Sequence, residues 1–81
     1  MNVTVKLFAA ARDLAGGDQL AVELPSGATV GELREQMQVA CPALGPLLAH
    51  AMFAVDATYA TDKTYIPAGA EIACIPPVSG G

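Results

Sequence analysis

The chain contains no tryptophan, and two phenylalanines and two tyrosines are its only aromatic residues, so any core it builds is aliphatic, made of Val, Leu, Ile and Ala. Basic residues are as scarce. Lys6, Arg12, Arg34 and Lys63 are all there are, they do not cluster, and against eight acidic residues they leave a net charge of -4. Binding a phosphate backbone requires clustered Lys and Arg, which argues against nucleic acid and for a partner with a basic surface. No apolar run approaches the roughly 20 residues of a membrane span. The start, Met-Asn-Val-Thr-Val, lacks the charged and apolar regions of a secretory signal, so neither membrane nor export is expected, and the location read from the sequence is cytoplasmic.

Cysteine is sparse too. Cys41 and Cys74 lack CxxC spacing, and a reducing compartment disfavours joining them, so they read as small buried hydrophobes rather than a disulfide or a sulfur relay. His50 is the sole histidine, with no Cys or Ser near it in a recognisable catalytic arrangement, and reads as a structural or surface residue. Asp13, Asp18, Asp56 and Asp62 fall among turn signals, where Asp serves the backbone. Metal-ligand spacing is missing, and no cofactor is expected.

What the chain has in quantity is apolar residues. They make up 53% of its 81 residues, against 15% charged, which suffices for one small domain and leaves apolar surface over. Such a surplus predicts an exposed patch and a protein partner.

Asn2 to Phe8 alternates, with Val3, Val5 and Leu7 on one face and Thr4, Lys6 and Phe8 on the other, the period of a half-buried strand. Arg12 to Asp18 supplies turn chemistry with its Gly-Gly-Asp, and Gln19 to Leu24 alternates again, so the first unit reads as a hairpin. After Pro25-Ser-Gly27, Thr29-Val-Gly-Glu32 fits a capping box in which Thr29 covers a free amide and Glu32 reaches back. A helix follows, with Val30, Leu33, Met37, Ala40 and Cys41 as its apolar stripe and Glu32, Arg34, Glu35 and Gln38 toward water, closed by Pro42. Ala43 to Ala51 reads as a loop with one helical turn at Leu47 to His50. Met52 to Val55 reads as a strand, Asp56 to Asp62 as turns around a short edge segment, Ile66 to Gly69 as a tight turn, and Ala70 to Ile75 as the last strand, with Ile72 and Cys74 inward.

One helix of about three turns covering one face of a mixed sheet of four to five strands is an α+β arrangement. If the first and last strands pair in parallel at the centre, it is the β-grasp, or ubiquitin-like, fold; a split βαβ sandwich and a small open barrel are the alternatives.

The ending is patterned: Ile75-Pro-Pro-Val-Ser-Gly-Gly81. The expected division is a folded body over 1–76 and an extended arm over 77–81. Pro76 and Pro77 lock two φ angles and stiffen the exit. Five residues reach roughly 17 Å, enough to enter another protein's active site. Gly80 and Gly81 have no Cβ and leave the terminal carboxylate open. Adenylation would make that carboxylate a competent acyl donor. A sulfur nucleophile would convert it to a thiocarboxylate, or a thiol and then an amine would give a conjugate; a plain disordered tail is the remaining reading.

Cys74-Ile-Pro-Pro-Val-Ser-Gly-Gly81, with Leu7-Phe-Ala-Ala-Ala-Arg-Asp-Leu-Ala-Gly16, Thr29-Val-Gly-Glu-Leu-Arg34 and Ala54-Val-Asp56, resembles the family of small, sulfur-carrier subunits of molybdopterin synthase over nearly the whole chain. The resemblance implies a β-grasp carrier whose Gly81, with Gly80, carries the chemistry. An ATP-using, E1-like activating enzyme would adenylate it, and a sulfur donor such as a cysteine desulfurase or a rhodanese would supply the sulfur. The thiocarboxylate would then give sulfur to cyclic pyranopterin monophosphate in the large subunit of a heterotetramer with two copies of each chain, where the catalytic side chains reside. It also implies partner contacts from Phe8, Tyr59 and Ile75 on the outward sheet face, from Arg12 toward the activating enzyme, and from Pro76, Pro77, Val78 and Ser79 along the arm. Asp56 stands where the family more usually has Asn, and Cys74 and Ile75 where it has aromatics; Gly-Gly alone would also fit a thiamine-pathway sulfur carrier or a ubiquitin-like modifier conjugated through Gly81.

Overall fold

The computed structural model describes residues 1–77. A five-stranded sheet runs in the order β2-β1-β5-β3-β4, with strands β1 (Asn2–Leu7), β2 (Gln19–Glu23), β3 (Met52–Val55), β4 (Thr58–Ala60) and β5 (Ile72–Ile75). β1 and β5 lie parallel at its centre, Val5 beside Ile72 and Leu7 beside Cys74, and the outer pairings are antiparallel. This is the β-grasp arrangement expected from the strand order.

The alternation does what its period requires: Val3, Val5, Leu7, Val22, Phe53, Ile72 and Cys74 are buried, and their neighbours in sequence face the other way. The core is aliphatic but for Phe53, which is fully enclosed.

The link between β1 and β2 differs from the expected turn. It holds a helix, α1 (Ala9–Ala15), because Ala9-Ala-Ala11 is a run of the strongest helix former. Gly16, at φ 75°, ends it by donating its N–H to the Arg12 carbonyl (3.0 Å), the left-handed cap that glycine adopts without a Cβ penalty. Ala11 is the buried residue of this short helix.

The main helix, α2 (Val30–Ala40), begins at Thr29, whose hydroxyl accepts the Glu32 N–H at 3.3 Å. The other half of the expected capping box is altered: the Glu32 carboxylate lies 3.5 Å from the Thr29 hydroxyl, not at the backbone amide. The next amides are satisfied by tertiary partners, Val30 N–H donating to Thr64 C=O and Gly31 N–H to Asp62 C=O, both at 2.9 Å. That approach leaves little room at Gly31, where a Cβ would lie 3.2 Å from the Asp62 carbonyl oxygen. Val30, Leu33 and Met37 form the buried stripe; Ala40 is exposed and Cys41, beyond the last turn, is half-buried. The helix stops where proline dictates, with Cys41 out of the helical region (φ -141°, ψ 85°) ahead of Pro42.

The expected loop from Ala43 is more regular than read. A 3-10 turn at Pro42–Leu44 and a one-turn helix, α3 (Gly45–Leu48), bury Leu44 and Leu48, with both prolines in first-turn positions where their missing N–H costs nothing. Asp56 and Ala57 form the two-residue turn of the β3–β4 hairpin with φ 49° and 66°, the left-handed pair that matches strand twist. Asp56 N–H donates to Glu71 C=O (2.8 Å) and its Oδ1 accepts Glu71 N–H (2.9 Å), pinning the turn to the approach of β5. That acceptor role is one an Asn side chain fills equally.

Arg34 does not face water as its helical position suggests. Its guanidinium donates to the Leu48 and Ala51 carbonyls and to Asp62 Oδ1 (2.9 and 3.2 Å), and lies 5.0 Å above the Phe53 ring. Truncation leaves two carbonyls without a donor and uncovers an aromatic face, a loss of about 2–3 kcal/mol. Arg34→Ala is therefore expected to lower the thermal midpoint by about 10–20 °C. Arg34→Lys keeps the charge but not the fork and should recover only part of that in the same melts.

Cys74 is sealed in the core, and burial pushes its thiol from 9.0 up to about 11, with the positive charge of Arg34 pulling the other way. The folded chain thus holds this proton at pH values where the unfolded chain has released it. The resulting stability is whole below pH 9, is lost as pH rises toward 11, and amounts to roughly 2–3 kcal/mol. Denaturant titrations should show this alkaline loss, and Cys74→Val should flatten it. A thiol reagent at neutral pH should label half-buried Cys41 and reach Cys74 only on unfolding.

Candidate partner-binding site

The side chains that alternate away from α2 line the open face of the sheet. Register sets them in rows. Lys6, Ala73, Ala54 and Tyr59 stand side by side across β1, β5, β3 and β4, and Ile75 is paired with Met52 in the next row. Phe8 follows directly on β1, extended at φ -125°, before Ala9 (φ 49°) swings the chain into α1. The exposures are high for large apolar groups: 48% for Phe8, 51% for Met52 and 66% for Tyr59. Solvent contact on this scale at adjoining positions is what a docking surface would present.

The two alanines in register, Ala54 and Ala73, floor a shallow depression of about 210 Å³ bordered by Lys6, Phe8, Ala57 and Glu71. A second hollow of about 200 Å³ continues from Phe8 and Lys6 to Arg12, Asp18 and Gln19. Arg12 was expected in a turn and instead occupies the last turn of α1, where a positive side chain complements the helix dipole and where Gly16 and Gly17 donate to its carbonyl. A larger depression, about 280 Å³, sits at the far end of the same face between Asn2, Thr4, Gln19 and the Pro67–Glu71 approach to β5.

The structure therefore gathers Phe8, Arg12, Tyr59 and Ile75, named from sequence, onto one contiguous surface. β5 ends within it at Ile75; Pro76 is half-buried and Pro77 exposed. Val78, Ser79, Gly80 and Gly81 lie outside the described residues. Met52, Ala54 and Leu14 were not singled out in sequence. A signal existed for the first two, since an inward Phe53 and Val55 force Met52 and Ala54 outward; Leu14, 49% exposed on α1, was hidden by reading that segment as a turn.

Among the described residues no group of His, Cys, Asp and Glu could hold a metal ion, and no helix is long and apolar enough to cross a membrane. Among the described residues, no titratable cluster resembling a catalytic constellation borders the open face. Lys6, Arg12 and Glu71 are exposed side chains, and the thiol of Cys74 points into the core.

Comparison with known proteins agrees over the full length. The chain is 37% identical over 83 residues to the molybdopterin synthase sulfur carrier subunit of Chlamydomonas reinhardtii, with all of both chains covered. It is 33% identical over 81 residues to the subunit of that name from Arabidopsis thaliana, covering 100% of this chain and 84% of the relative. Among solved structures, SAMP1 from Haloferax volcanii superposes with a TM-score of 0.87 at 30% identity, covering 100% of each chain. The model of the ThiS family matches residues 5–81, from the middle of β1 through the Gly-Gly ending, and the chain belongs to that family.

Proposed function

We propose that this chain is the sulfur carrier of a molybdopterin synthase, with Gly81 as the reacting terminus of the mature protein. The supporting observation is positional: exposed Phe8, Met52 and Tyr59 and half-buried Ile75 form an apolar cluster around the end of β5, from which the Pro-Pro-Val-Ser-Gly-Gly segment continues. A partner that docks on this face is placed where the ending begins. The body over 1–76 is the handle and 77–81 the arm.

In this reading the Gly81 carboxylate attacks the α-phosphorus of ATP on an activating enzyme, and pyrophosphate leaves. The persulfide of a cysteine desulfurase or rhodanese then attacks the acyl carbon and AMP departs with one carboxylate oxygen, giving an acyl disulfide. A second thiol of the donor cleaves its S–S bond, which releases the thiocarboxylate and leaves a disulfide on the donor. Glycine at both final positions lets the chain thread a narrow channel. Docked on the large subunit, two copies of each chain forming the assembly, the thiocarboxylate delivers sulfur to cyclic pyranopterin monophosphate. The carrier's own side chains bind and position; the reagent is its terminus. The relatives' names as subunits of a synthase and the apolar face support a large-subunit partner for this chain.

Incubating the full chain with activating enzyme, ATP and a sulfur source should raise its intact mass by the exchange of one oxygen for sulfur, and deleting Gly81 should abolish the change. An unchanged mass with the intact chain would count against the carrier reading. Phe8→Ser with Met52→Lys should weaken large-subunit binding at least about tenfold, by roughly 1.4 kcal/mol or more, in calorimetry with the fold intact by circular dichroism.

A further inference from the structure

A sheet of five strands has two edges, and in this chain they differ. β4 is three residues long, whereas β2 offers five. The hydrogen-bond phase of β2 follows from its ends: Leu7 N–H donates to Asp18 C=O at 2.9 Å and Leu24 N–H to Met1 C=O at 2.8 Å, with unbroken register between Lys6↔Gln19 and Asn2↔Glu23. In that phase Leu20 and Val22 direct their backbone groups to β1, and Gln19, Ala21 and Glu23 direct theirs outward. These three residues are exposed, and among the described residues no turn, loop or cap contact occupies their N–H or C=O groups. Open edges are ordinarily blunted by proline, lysine or a bulge, and β2 carries none of these.

We propose that β2 is a self-complementary edge that pairs antiparallel with β2 of a second copy of this chain, about a twofold axis at Ala21. In this register Ala21 faces Ala21 of the second copy and Gln19 faces Glu23, twice by symmetry. Each facing pair exchanges two backbone N–H···O bonds. The Gln19 amide donates toward the Glu23 carboxylate, and no like charges stand opposite one another. On the helix side half-buried Leu20 meets Val22 of the second copy, gaining cover. Shifting the axis to Val22 sets Gln19 against Pro25, which has no N–H, and shifting it to Leu20 sets Glu23 against Gly17 and shortens the overlap. Strand length and Pro25 therefore select one register. The edge lies two strands from the end of β5, so the pairing leaves the apolar face open. Five paired residues bury less than a standard stable interface, and the expected dissociation constant is on the order of 0.1–1 mM.

Sedimentation equilibrium of the full chain from about 10 µM to about 1 mM tests this, with the weight-average mass expected to climb from 8.2 kDa toward twice that value. Ala21→Pro removes an outward N–H without touching a β1–β2 bond and should hold the chain monomeric while its melting curve remains cooperative. Gln19→Glu sets carboxylates face to face twice and should weaken the dimer at least about fivefold; adding Glu23→Gln restores complementary pairs and should return the affinity. The double exchange decides the matter even where Ala21→Pro fails to fold. A monomer throughout the range, a dimer indifferent to these changes, or one dissociated by Phe8→Ser instead would overturn the proposal.

Discussion

One side chain ties the main helix to the sheet, to α3 and to the loop that holds Asp62. Arg34 leaves α2, lies over Phe53 of β3, donates to the carbonyls of Leu48 at the end of α3 and of Ala51 beyond it, and holds Asp62. A guanidinium suits this position because its planar fork bonds in several directions at once while its flat face covers a ring. Without it, the segment from Pro42 to Ala51 would rest on the burial of Leu44, Leu48 and Ala51, with Leu47 packed against them, and the carbonyls at its end would lack donors. Asp62 carries the coupling further. Its backbone carbonyl accepts Gly31 N–H, so the loop that anchors Arg34 also caps the helix from which Arg34 extends.

With the helix side closed in this way, the open side of the sheet is free to be a surface. Inward positions are taken by Val5, Leu7, Phe53, Ile72 and Cys74, and the pleat then obliges Lys6, Phe8, Met52, Ala54, Ala73 and Ile75 to face outward. The packing of the core does not require Phe8, Met52 and Tyr59 to be large and apolar there. Their chemistry fits a docking surface, and its position at the end of β5 connects the fold to the glycine ending. The left-handed residues Asp56 and Ala57 contribute as well, because a two-residue turn holds Tyr59 in register with Ala54.

The strands and the main helix were legible because each combined a strong period with a clear stop, as Thr29 and Pro42 bracket α2. What was misread involved competing local signals. Gly16, Gly17 and Asp18 are turn residues, and they masked the three alanines that make Ala9–Ala15 helical. Pro42, Gly45 and Pro46 suggested a loop, yet first-turn prolines favour helix starts, and a 3-10 turn and α3 form there. Arg34 was assigned to water by its helical angle, a reasonable inference for a charged residue that fails when several carbonyls and an aromatic face lie within its reach. For the site, the family resemblance named Phe8 and Ile75 and parity put them on the outward face, whereas Met52 and Ala54 needed the facing of their strand to be settled.

By itself the sequence determined the alternation of the strands, the cap and stop of α2, the aliphatic core and the glycine ending, because these depend on contacts within a few residues. It also carried enough of the family's pattern for membership to be visible along the chain. Only the tertiary structure decided which strands are neighbours, that Arg34 turns inward, and that Phe8, Arg12, Met52, Tyr59 and Ile75 share one surface. The physical reason is distance along the chain: those residues span most of its length, and strand pairing across long connections alone brings them together.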